Sequence, residues 1–142
     1  MGVRVRLKIR SKSGAEVESS ALVNSGFETE TSQLLLPVGA AKKLDLYPPP
    51  PEASIVELGT AGGPARLFLI REGLKVWVLA GDRSVGPVTA DALISAVEEE
   101  ILINDKLSEG LKLVLVAMGS GKWRFADDPP DKIRSSERPR YW

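Results

Sequence analysis

Apolar and polar residues alternate without a break at the start of the chain. Val3, Val5, Leu7 and Ile9 fall on one side, and Arg4, Arg6, Lys8 and Arg10 on the other. A period of two is that of a β-strand with one buried face and one wet face, here a basic face whose cations are solvated. Ser11-Lys12-Ser13-Gly14 is a turn, and Ala15 to Val23 reads as a second strand, giving a hairpin. Asn24-Ser25-Gly26, three turn-forming residues, follows directly on the apolar Ala21-Leu22-Val23. A short apolar strand runs from Gln33 to Leu36 and is stopped by Pro37. Val38 to Leu44 fits a short helix with Lys42 and Lys43 outside. The prolines of Tyr47-Pro48-Pro49-Pro50-Pro51 cannot donate to a sheet ladder, so this stretch reads as an extended polyproline linker.

Ser54 to Leu58 and Ala65 to Arg71 are β-type runs flanking Gly59-Thr60-Ala61-Gly62-Gly63-Pro64, which predicts a hairpin with a mobile tip. Leu74 to Ala80 reads as a further strand, Gly81 to Ser84 as a turn, Val88 to Ser95 as a strand and Ile101 to Ile103 as a short buried one. Asp105 to Glu109 starts a helix closed by Gly110. Leu111 to Met118 and Lys122 to Ala126 form a last hairpin across Gly119-Ser120-Gly121. The pattern predicts a mainly β protein, a small closed barrel with one or two short helices. The barrel domain occupies residues 1–126, and residues 127–142 form a polar, proline-containing C-terminal tail.

The chain has 142 residues, one domain's worth, with 19 cationic and 19 acidic side chains and a formal net charge of zero. That balance argues against a nucleic-acid or anionic-membrane partner. Cys and His are both absent, which excludes thiol or imidazole metal sites, Ser-His and Cys-His nucleophile pairs and disulfides. An enzyme built from this chain works with carboxylates, hydroxyls, Lys, Arg or backbone amides, and neither a cofactor nor a metal is expected. The alternating N-terminus is not a signal peptide, and the longest apolar run, Leu113 to Met118, is too short to span a bilayer, so the expected location is the cytoplasm.

Ala21-Leu22-Val23-Asn24-Ser25-Gly26-Phe27-Glu28-Thr29 resembles the active-site turn of the retropepsin-like aspartic proteases. In that family two or three apolar residues lead into Asp, Thr or Ser, then Gly, often followed by Ala and an acidic residue. Other family landmarks follow in order: a helical turn, a connection, and a glycine-rich hairpin at Gly59 to Pro64 in the place of the flap that closes over substrate. Last comes an apolar strand running into a short helix at Ile101-Leu102-Ile103-Asn104-Asp105-Lys106-Leu107. The resemblance covers about residues 3 to 118. It implies an aspartic endopeptidase in which two carboxylates share one proton, one acting as base toward water and the other protonating the leaving amine. With one such turn per chain, the second carboxylate comes from a second subunit, so the resemblance implies a homodimer with the site on its two-fold axis. It further implies that Ser25 braces the dimer centre and that Gly26 admits the carboxylates and substrate. Phe27 and Glu28 would contact an extended peptide, as would the flap residues Gly59, Thr60, Ala61, Gly62 and Gly63.

The decisive position departs from the family: residue 24 is Asn. A carboxamide nearly matches a carboxylic acid in shape but cannot take up or release the proton. A homodimer would carry Asn twice, so the chain is expected to be inactive. Either Asn24 is a deliberate substitution that preserves shape while blocking cleavage, or the protein is a natural pseudoprotease that binds peptides. A non-catalytic β-barrel interaction domain is the third possibility. Asn104 stands where the family has Gly, a mild change because Asn tolerates left-handed φ. Asp105 fits a helix N-terminal carboxylate. Gly119-Ser120-Gly121-Lys122 fails the phosphate-loop pattern because Val116 stands where the first Gly belongs. Glu98-Glu99-Glu100 reads as a solvated acidic turn, and Asp127, Asp128 and Asp131 as solubilising tail residues.

Overall fold

The computed structural model describes residues 2–60 and 62–142. Among these residues the chain forms β1 (Arg4–Ser11), β2 (Glu16–Val23), β3 (Gln33–Pro37), α1 (Val38–Lys43), β4 (Ser54–Thr60), β5 (Gly63–Leu79) and β6 (Ser84–Ser95). There follow β7 (Leu102–Ile103), α2 (Asp105–Gly110), β8 (Leu113–Ala117), β9 (Lys122–Phe125) and β10 (Arg134–Ser135). Strands β1-β2-β7-β3-β6-β5 lie side by side, and β1 pairs with β5 to close the barrel. The fold is therefore the expected mainly β closed barrel with two short helices. Among the described residues no helix is long and apolar enough to cross a membrane.

The alternation in β1 does what its period requires. Val5, Leu7 and Ile9 are fully buried in the core, while Arg6 and Arg10 lie outside. Two outward cations meet β2 acids across the sheet, Arg6 pairing with Glu18 and Arg10 with Glu16, while Arg4 pairs with Glu100 and Lys8 lies over the Trp77 ring.

Four segments differ from the sequence-based expectation. First, the strands expected at Ala65–Arg71 and Leu74–Ala80 are one strand, β5. It bends at an irregularity between Ile70 and Leu74, where Glu72 has φ 51°. The polar Arg71-Glu72-Gly73 does not end pairing because the Glu72 N–H donates to the buried carboxylate of Asp91 at 2.8 Å. Second, β6 starts at Ser84, through Gly86-Pro87, because Pro87 sits beside a second pairing irregularity at Val76/Val78. Gly86 is required there, since its φ is +126° and a Cβ would stand 2.6 Å from the Val76 carbonyl oxygen. Third, the proline stretch is not an extended rod. Tyr47-Pro48 is cis, and the Ala53 N–H closes a turn on the Pro50 carbonyl at 3.0 Å.

Fourth, residues 127–142 run back over the barrel. Strand β10 adds to β9 in a second sheet of order β10-β9-β8. Asp128 is buried and accepts from the Phe125 N–H, and Arg134 bridges Asp128 and Asp82 while lying over the rings of Trp123 and Phe125. Further on, the Glu137 N–H donates to Arg4, the Trp142 N–H to Glu99 and the Trp142 indole to Ser19, and the indole packs on the core. Asp127, Asp128, Lys132 and Arg134 of this segment are all ion-paired, so Asp128 is a structural anchor and not a solubilising residue. Arg134 pushes the Asp128 carboxyl down to about 2, helped by the Phe125 N–H and Arg83. Asp82, bonded to Arg134 and Lys132, and Asp127, bonded to Arg83, are also held below the usual carboxylate range.

Candidate functional site

Strand β7 lies between β2 and β3, parallel to the first and antiparallel to the second. The chain leaves β2, turns at residues 24–28 and returns as β3 on the far side of β7. Asn24 enters the turn with its N–H on the Ile103 carbonyl at 3.0 Å, and the Phe27 N–H closes the turn on the Asn24 carbonyl at 3.1 Å. The Asn24 side-chain oxygen accepts a long bond, 3.4 Å, from the Gly26 N–H. The Phe27 carbonyl accepts from Asp105 at the start of α2 at 3.1 Å, so the turn is fixed to the helix behind it.

Asn104 binds this region together. It is fully buried, and its Oδ1 accepts from the Gln33 N–H (3.0 Å) and the Leu107 N–H (2.9 Å). Its Nδ2 donates to Thr29 Oγ1 (2.8 Å) and the Thr31 carbonyl (2.8 Å). One side chain thus caps α2, anchors the start of β3 and fastens the exit of the turn. Its backbone is extended, φ −80° and ψ 172°. Tolerance of left-handed φ is therefore not what suits Asn to this position; its two acceptor and two donor bonds are. Beside it, buried Asp91 accepts from Thr31 Oγ1 at 2.7 Å and joins β6 to the same loop.

The β4–β5 hairpin extends beyond the barrel and folds over this turn. Between them lies a cleft of about 580 Å³. Asn24, Gly26, Phe27 and Glu28 line its floor, and Leu58, Gly59, Ala65 and Leu67 its roof. Ser95, Val97 and Glu98 line one side, with Leu35 and Leu102 at the back. A second, smaller hydrophobic cluster of Phe27, Leu35, Leu67, Leu69 and Leu93 joins the hairpin to the barrel wall, with Val56, Leu58 and Leu102 packed on it.

The structure thus brings Asn24, Gly26, Phe27, Glu28 and Gly59 to one cleft. Ser25 is exposed beside it, and its hydroxyl has no hydrogen-bond partner among the described residues. Gly62 and Gly63 lie at the hairpin end outside the cleft lining, with Gly63 in left-handed φ (+109°). Thr60 pairs through its backbone with Gly63, and Ala61 lies outside the described residues. Nothing within the chain demands glycine at 26, since a Cβ there would only touch the Asn24 side chain at an ordinary 3.8 Å.

Sequence reasoning missed Leu35, Leu58, Leu67, Leu102, Ser95 and Val97, and it read Glu98 as a solvated turn residue. Leu34-Leu35-Leu36 carried a signal: a run with no polar residue is buried on both faces, so Leu35 needs a cover outside the barrel. Val97, 78% exposed, is a large apolar side chain at the cleft edge. Among the described residues, no group of three or more acidic side chains is placed to hold a metal ion. The Met118–Gly121 segment is a tight turn between β8 and β9, closed by the Gly121 N–H on the Met118 carbonyl. No protein-family model matches the chain, and no curated protein sequence matches it.

Proposed function

We propose that this chain is a retropepsin-type aspartic endopeptidase scaffold, assembled as a homodimer with one 24–26 turn per subunit. With Asn24 in both copies it holds an extended peptide and does not cut it. The observation that carries this reading is the position of the Asn24 side chain on the floor of a cleft roofed by a glycine-containing hairpin. The floor is tied from behind by hydrogen bonds to Ile103, Asp105 and Asn104.

In the active form, Asp at position 24 of each subunit supplies the carboxylate pair. Held close together, the two groups cannot both ionise, so one keeps the proton. The ionised one takes a proton from water as the water attacks the scissile carbonyl, and the protonated one then serves the leaving amine. The Gly26 N–H, which faces the Asn24 oxygen, is a donor that a carboxylate oxygen accepts equally well. Asn preserves that contact and lacks only the titratable proton. In the proposed dimer the Ser25 hydroxyl, exposed and without a hydrogen-bond partner among the described residues, would bond across the two-fold axis.

Two measurements on the unaltered chain test this. Sedimentation equilibrium at micromolar concentration is expected to show a dimer. A dye-labelled extended peptide is expected to bind, and to be displaced by an analogue with a hydroxyl in place of the scissile carbonyl. A strict monomer that binds no extended peptide overturns the reading. A dimer that binds peptides, and whose Asn24→Asp variant stays inert, assigns the protein to peptide binding alone.

A further inference from the structure

The lining of the cleft divides by chemistry. Phe27, Leu35, Leu58, Leu67 and Leu102 supply an apolar bed, and among the described residues the only charged side chains in the lining are the carboxylates of Glu28 and Glu98. Neither is in an ion pair among the described residues, although most of the chain's arginines are. Both sit on backbone that is already fixed. Ser95 Oγ accepts from the Val97 N–H at 3.2 Å and the Glu98 N–H at 3.1 Å. The next two residues are tied down from behind, Glu99 by the Trp142 N–H at 2.8 Å and Glu100 by the Arg4 guanidinium. Glu28 follows the turn that Asp105 and Asn104 clamp. Glu100 thus has its cation, while Glu98, two residues earlier, is presented to the cleft without one.

We infer that this cleft selects peptides with an apolar side chain flanked by Lys or Arg, with Glu28 and Glu98 as the charge-selecting residues. This rests on the cleft being the peptide site proposed above. An apolar side chain fills the leucine-lined bed, and flanking cations meet the carboxylates of Glu28 on the floor and Glu98 on the side. Partly exposed ion pairs of this kind change affinity by about two- to five-fold each.

The test uses three dye-labelled peptides with one apolar core, flanked by Lys, by Gln or by Glu, titrated by fluorescence anisotropy into the unaltered protein. The expected order of affinity is Lys over Gln over Glu, narrowing as salt is raised. Glu28→Gln with Glu98→Gln is expected to abolish the Lys preference, with about a four- to twenty-five-fold loss for that peptide and little change for the Gln-flanked one. Equal binding of the Lys- and Gln-flanked peptides, or a Lys preference that survives in the double variant, overturns the inference while leaving the peptide site standing. If none of the three binds, the peptide site itself falls, and the inference with it.

Discussion

Asn104→Ala removes one side chain and four hydrogen bonds at once. The two lost acceptor bonds matter most. The N–H groups of Gln33 and Leu107 are buried, and a buried donor left without a partner costs about 1–3 kcal/mol. The Leu107 bond is also the helix cap, whose loss alone typically costs about 1 kcal/mol, so it is counted once. The two donor bonds go to Thr29 and Thr31, at a less buried site where solvent can replace the amide, and their loss adds less. The sum is about 2–6 kcal/mol, a large part of the 5–15 kcal/mol that holds typical domains together. Urea denaturation, compared at equal protein concentration, is expected to show a midpoint lower by about 1–3 M if the slope is about 2 kcal/mol/M. Amide exchange at Gln33 and Leu107 should accelerate beyond that at residues in β1. Asn104→Asp keeps both acceptor bonds but turns an oxygen toward the Thr31 carbonyl, so it should fall between alanine and the unaltered chain. A loss below about 1 kcal/mol for Asn104→Ala, within the range of a single ordinary hydrogen bond, would refute the keystone role.

Other outcomes follow from the same structure. The Asp128 carboxyl, pushed down to about 2 from an unfolded value near 3.9, stabilises the docked 127–142 segment fully above about pH 4. That contribution is lost as pH falls through about 2, so Trp142 fluorescence should report undocking between those values, and Asp128→Asn should weaken the acid dependence, leaving the part that Asp82 and Asp127 carry. Gly86→Ala places a Cβ 2.6 Å from the Val76 carbonyl at φ +126°, and a loss of about 2 kcal/mol or more is expected in thermal unfolding; a neutral result would contradict the close approach. The hairpin end is held by few side chains, so the amides of Gly59 and Gly62 should exchange faster than those of β1 and slow when peptide binds. Unchanged exchange at both on peptide binding would remove the roof from the binding event.

The barrel was legible because its signals are local. Val3 to Arg10 carries its burial in its own period, and the glycine-rich 59–64 stretch marks the β4–β5 hairpin, although its Gly59, Thr60, Gly63 and Pro64 pair as strand. Where the reading failed, a distant group overrides a local one. Glu72-Gly73 looks like a strand end, yet Asp91, far along the chain, accepts the Glu72 N–H and keeps β5 in the ladder. The Asp127–Trp142 segment looks like a solvated tail, yet four of its charges, Asp127, Asp128, Lys132 and Arg134, are met by Asp82 and Arg83 from a turn that composition does not connect to it. The cleft divides in the same way. Asn24 to Glu28 stand out as a sequence motif, but Leu58, Leu67 and Leu102 become lining only once the hairpin folds over β7. Asn104 looked like a substitute for glycine, whereas its role lies in four partners on three different elements.

The most direct test of the central claim is peptide hydrolysis by Asn24→Asp. The folded, dimeric variant should be incubated beside the unaltered chain with an unstructured protein and a diverse peptide set from about pH 3 to 7, the range in which a carboxylate pair titrates. Cleavage is expected only from the variant. The gain should be at least about 10²- to 10⁴-fold, the contribution of one acid–base group, since both copies are restored. The rate should fall on either side of an acidic optimum, because one carboxyl must be ionised and the other protonated. A folded, dimeric Asn24→Asp protein that cuts none of these substrates at any pH would contradict the endopeptidase assignment.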